Sequence, residues 1–136
     1  MKESEQQKNE LIEHARKAMN NAYAPYSKFS VGAALLGENG KIYLGCNVEN
    51  AAYPSGSCAE QSAISAMVVD GETRIAAIAV MGLGDRLVTP CGACRQRIRE
   101  FATEDTLVHI CGPEGLRRTF TIKELLPLSF GPKNLN

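Results

Sequence analysis

Three thiols and one carboxylate in this chain are spaced for metal chemistry. Cys91 and Cys94 lie three apart in Thr89-Pro90-Cys91-Gly92-Ala93-Cys94, the spacing that lets two thiolates grip one ion. Cys58, in Ser57-Cys58-Ala59-Glu60-Gln61, can bring a third sulfur from elsewhere in the fold. Three protein ligands leave the fourth tetrahedral position open, which marks a catalytic rather than a structural zinc. Glu60, two residues after Cys58, is placed to take a proton from a water in that position and return it to a leaving nitrogen. Hydrolytic exchange at a carbon of an aromatic ring is the chemistry this set suits.

Two other readings use the same thiols. A structural zinc clip would draw its fourth ligand from Cys111 or Cys46, and would not require Glu60. A thioredoxin-like redox pair would leave Cys58-Ala59-Glu60 without a role. Three thiolates on Zn²⁺ also carry a net charge of −1, which must be offset. Both thiol groups fall near predicted helix starts, where N–H groups and positive potential lower thiol pKa values. Arg95, beside Cys94, is a further candidate for the offset.

The elements that position these groups follow from patterning. Leu11, Ile12, Ala15, Ala18, Met19 and Ala22 recur at helical spacing, so this segment predicts an amphipathic helix. Tyr23 to Ser30 is a loop with three aromatics. Val31–Leu36 and Lys41–Val48 flank Asn39-Gly40, a hairpin signal. The second strand runs out into Asn47-Val48-Glu49-Asn50, whose amide and carboxylate can hold sugar hydroxyls. Ser57 is expected to cap a helix from Cys58 to Val69. Ile75–Met81 predicts a strand buried on both faces, and Cys91–Phe101 a helix whose exposed face carries Arg95, Arg97, Arg99 and Glu100. Leu107–Cys111 and Leu116–Ile122 predict two more strands. Glu124-Leu125-Leu126 predicts one helical turn before Pro127. The apolar tail beyond it must dock, on its own core or on a neighbouring subunit. This alternation predicts a layered α/β sheet.

Bulk properties bound the partners. The chain has 136 residues, 44% of them hydrophobic and 22% charged, which suits one globular domain over residues 1–136. Formal net charge is zero, which argues against a nucleic-acid or anionic-membrane partner and against a nucleic-acid-binding zinc module. No apolar run reaches the length of a bilayer span. Met1 to Glu10 is polar, without an apolar signal region, so a cytoplasmic location is expected. Five cysteines, an odd number, make a disulfide framework unlikely; Cys46 and Cys111 are expected in the core.

Cys58-Ala59-Glu60 with Pro90-Cys91-Gly92-Ala93-Cys94 matches the signature of the zinc nucleobase deaminases. From about Tyr23 to Leu135 the chain resembles the small homotetrameric cytidine deaminases. The resemblance rests on Tyr23-Ala24-Pro25-Tyr26-Ser27-Lys28-Phe29, Gly45-Cys46-Asn47-Val48-Glu49-Asn50, Cys91-Gly92-Ala93-Cys94-Arg95-Gln96 and Glu124 to Pro132. It implies a three-layer α/β/α sandwich with a mixed five-stranded sheet. It implies one Zn²⁺ per subunit on Cys58, Cys91 and Cys94, with Glu60 as proton shuttle while hydroxide on the zinc attacks C4 of cytidine or 2′-deoxycytidine. Asn47 and Glu49 then match the residues that hold the ribose, Phe29 a ring packed on the pyrimidine, and Ala59 a backbone group near the base edge. Phe130 matches an aromatic entering the adjacent subunit's site, and Tyr53 a position near that shared site. An aminonucleoside or another base is the rival substrate. One departure stands out: three-cysteine members commonly carry Arg after the Glu, where this chain has Gln61.

Overall fold

The computed structural model describes residues 2–135. Met1 and Asn136, which belong to the polar N-terminal stretch and the C-terminal tail, lie outside the described residues. Helix α1 spans Glu5–Asn20. It begins well before the predicted apolar stripe because Ser4 and Gln7 form a reciprocal cap, which satisfies two otherwise orphaned N–H groups. Strands β1 (Val31–Gly37) and β2 (Ile42–Cys46) pair antiparallel. In their turn Gly40 takes φ 84°, the left-handed geometry that closes a three-residue hairpin loop.

After β2 the chain forms a short 3₁₀ turn, Tyr53–Ser55, then α2, Ala59–Val69. Strand β3 (Ile75–Gly82), α3 (Gly92–Phe101), β4 (Leu107–Gly112), β5 (Gly115–Thr121) and the single turn α4 (Ile122–Leu125) follow. Ile122 starts that turn instead of ending β5, because Thr121 and Glu124 cap it reciprocally. The strand order is β2-β1-β3-β4-β5. Strands β3 and β4 run parallel and the other neighbours antiparallel, so the sheet is mixed, as expected.

Alternation sorts the strand side chains into two cores. Ala33, Leu35, Ile78, Val80, Val108 and Ile110 face α2, α3 and α4. Ala34, Leu36, Ala77, Ala79, Met81 and Cys111 face α1. Helices therefore cover both faces, and the three-layer α/β/α expectation holds. Cys111 is fully buried, but Cys46 is only half-buried; its Sγ lies 3.8 Å from the Asn21 carbonyl, at the rim instead of in the core. His109, deep under the sheet, hydrogen-bonds Thr119 and pairs with Glu3, pinning the segment before α1.

The tail settles on α3 through polar bonds. The Gln96 side chain donates to the Phe130 carbonyl at 2.9 Å and Arg99 to the Ser129 hydroxyl at 2.8 Å. Leu128 and Phe130 stay exposed, so these apolar side chains do not close the core of their own chain.

Candidate active site

Two helix starts meet at one cleft, which Val80 of β3 also lines. Cys58 is the N-cap of α2 and Cys91 the N-cap of α3, with Cys94 in its first turn. Ser57, the expected cap, instead exchanges backbone hydrogen bonds with Val48, which leaves Cys58 at the helix mouth. Gln61 reaches back to accept the Cys58 N–H at 3.4 Å. The Sγ atoms of Cys58, Cys91 and Cys94 all lie within 4.8 Å of one another. Sulfurs around tetrahedral zinc lie about 3.8 Å apart, given Zn–S near 2.3 Å, so the cluster fits that ion. Neither Cys46 nor Cys111 joins the cluster among the described residues, and Cys111 sits on the far face of the sheet.

The electrostatics differ from thiol to thiol. The Cys94 backbone N–H holds the Cys91 thiol below its usual value, helped by the Ala93 N–H. Burial pushes the Cys58 and Cys94 thiols up. Such sulfurs give up their protons when a cation arrives, so loading the site releases protons. Glu60, on the first turn of α2, is 5% exposed. Burial raises its carboxyl above the usual range, while its own N–H and the Arg97 charge pull the other way.

A cleft of about 590 Å³ opens over this group. Its walls bring together Asn47, Glu49, Tyr53, Cys58, Ala59, Glu60 and Cys91. Phe29 and Phe130, also named from the sequence, do not line it; both are exposed on this chain. Glu49 is held by the loop between α1 and β1: its carboxylate accepts from the Tyr26 and Ser27 N–H groups at 2.9 and 3.1 Å and from the Ser27 hydroxyl. The Ser27 hydroxyl is the main cause that keeps this carboxyl below its ordinary value. Asn47 accepts from the Val31 N–H and donates to the Phe29 carbonyl, both at 2.9 Å, so the amide also braces the start of β1.

The arginines of α3 are not the exposed face expected of them. Arg95 donates to the carbonyls of Pro90 and Leu125 and to the Thr89 hydroxyl, locking the loop before α3 to the end of α4. Its guanidinium is thus engaged by oxygens and is not the offset for the thiols. Arg97 instead places Nη1 3.3 Å from Cys94 Sγ. Its position three residues after Cys94, on the same helix face, is the signal that could have singled it out. Val88 and Thr89, also cleft walls, carry no comparable sequence signal.

A buried carboxylate beside three converging thiols, at paired helix starts on an α/β/α sheet, defines a zinc-site hydrolase. The description "Cytidine and deoxycytidylate deaminase zinc-binding region" matches residues 5–110. The cytidine deaminase of Sporosarcina psychrophila is 45% identical over 126 residues, covering 93% of each chain. That of Halalkalibacterium halodurans is 42% identical over 126 residues, covering 93% of this chain and 96% of the relative. The crystal structure of cytidine deaminase from Burkholderia pseudomallei superposes with a TM-score of 0.85 at 43% identity, covering 90% of this chain and 98% of that one. The chain belongs to the cytidine deaminase family of zinc-binding hydrolases.

Proposed function

We propose that the protein converts cytidine and 2′-deoxycytidine to uridine and 2′-deoxyuridine with release of ammonia, a step of pyrimidine salvage. The observation that carries this reading is Glu60, buried at the floor of the cleft two residues from Cys58 and beside the three-sulfur cluster. Cys58, Cys91 and Cys94 would hold one zinc per subunit. When bound, zinc supplies a Lewis acid that makes a water nucleophilic near neutral pH. Glu60 takes one proton from the attacking water and delivers it to N3 as oxygen joins C4. It then carries the remaining proton from the new C4 hydroxyl to the amine, the C4–N bond breaks, and ammonia leaves with a carbonyl at C4.

Asn47 and Glu49, which line the same cleft, orient the sugar. The Glu49 carboxylate is favoured as an anion by its Ser27 and Tyr26 donors, so it repels a phosphate on the sugar and favours a free nucleoside. The Ala59 backbone lies near the base edge. Phe29 takes the pyrimidine-packing role that the resemblance implies, and Tyr53 and Phe130 act near a site shared between subunits of a homotetramer. The exposed Phe130 and Leu128 support that assembly. Among the described residues no helix is long and apolar enough to cross a membrane; the cytoplasmic location is part of this proposal.

The test is zinc content and ammonia release measured on one preparation with cytidine, deoxycytidine and deoxycytidine 5′-phosphate. The nucleosides should turn over and the phosphate should not. Zinc-loaded protein that leaves both nucleosides intact would overturn the reading.

A further inference from the structure

The three-sulfur cluster has an electrostatic problem that α2 does not solve. Its residue after Glu60 is the neutral Gln61, and that side chain is spent on the Cys58 N–H. Arg95, the nearest cation in sequence, is spent on three oxygens of the loop before α3 and of α4. Cys94 is the most enclosed of the three sulfurs, 0% exposed. A thiolate there without a compensating cation is costly.

We propose that Arg97 is the positioning residue that balances this thiolate cluster, supplying from α3 the positive charge that α2 lacks. Nη1 stands 3.3 Å from Cys94 Sγ, one helical turn along. Arg97 forms no ion pair with a carboxylate among the described residues, so its charge remains available to the sulfur. The guanidinium is thus placed to favour the thiolate, ligand state of Cys94. A bond from N–H to a ligating sulfur also withdraws electron density from it, which limits the excess negative charge that three thiolates place on the ion.

This rests on Cys58, Cys91 and Cys94 being the ligands, and the experiment separates the two claims. Wild type and the variants Arg97→Gln, Arg97→Met and Arg97→Lys are loaded with zinc. Transfer of the metal to a colorimetric chelator is then followed, with thermal melting to report the fold. Arg97→Gln and Arg97→Met should release zinc about 10–100-fold more readily, the usual scale for losing a group that supports a ligand. Arg97→Lys should stay closer to wild type. The pair Gln61→Arg with Arg97→Gln, which returns a cation from α2, should recover retention. Wild-type release in Arg97→Gln and Arg97→Met would overturn the assignment. So would equal loss in Arg97→Lys with no recovery in the paired variant. A wild-type protein that binds no zinc would overturn the ligand set and the role of Arg97 together.

Discussion

Glu60 has lost nearly all contact with water, so its charge is governed by neighbours instead of solvent. Replacing it by Gln keeps its volume but removes the base. Turnover should fall by at least about 10²–10⁴-fold, with zinc content unchanged. Ordinary ammonia release by Glu60→Gln would place the proton shuttle elsewhere. A second carboxylate does structural work at the far end of α2. Asp70 accepts from the Tyr43 hydroxyl at 2.5 Å and from Lys41 at 3.2 Å. The Tyr43 hydroxyl, then Lys41, hold its carboxyl below the ordinary 3.8, and the bond to Asp70 raises the Tyr43 phenol above 10.0. Stability from the lowered carboxyl is complete above its ordinary value and disappears as pH falls through the lower folded value. Stability from the raised phenol is complete below 10.0 and disappears as pH rises beyond it. The melting-temperature gap between wild type and Asp70→Asn should therefore be widest near neutrality and narrow at both extremes. At this scale the sequence was most informative for Cys58, Cys91, Cys94 and Glu60, whose types and local spacing suited a shared ion with a carboxylate beside it; the convergence of the three sulfurs came from the fold. It was silent on Ser27 as the holder of Glu49, because that bond joins residues 22 apart.

The helix starts are set by how closely elements approach the sheet. Gly45 on β2 lies under α2, and a Cβ there would run into the Ala59 carbonyl and the Ala63 nitrogen. Neither is a side chain that can swing away. Gly45→Ala should cost about 3 kcal/mol or more, at the upper end of overpacking. It should also loosen zinc, because Cys58 and Glu60 ride on the displaced helix. Chemical denaturation and metal content of the same variant check both effects; unchanged values would mean α2 can lift without harm. Periodicity made α1, β3 and β4 legible in sequence, since their apolar repeats are long. The ends were less so. Ser57 is a better capping residue than Cys58 by type, yet its backbone is committed to Val48, and that pairing is invisible locally. The inward turn of Arg97 follows helix phase, which its three-residue spacing from Cys94 discloses although composition does not.

For the whole molecule, the tail leaves two of its apolar side chains largely exposed. Leu128 and Phe130 project from a tail held by Gln96 at the Phe130 carbonyl and by Arg99 at the Ser129 hydroxyl. The double change Leu128→Ser with Phe130→Ala should leave circular dichroism intact but weaken self-association in sedimentation, with specific activity falling on dilution. Association unchanged by that pair would exclude this tail from the proposed surface between subunits. The layered architecture was readable from the alternation of elements, whereas the strand order was not, because it depends on which distant segments pair.

The parallel pairing of β3 with β4 has a kinetic consequence. Hairpins close locally and fast, while a parallel neighbour must wait for its crossover to wrap. Cys58 and Glu60 follow the early hairpin, but Cys91 and Cys94 travel on the late crossover. During refolding the half-site carrying the acid should form first. Metal capture should trail it, as the event that reports arrival of the second half.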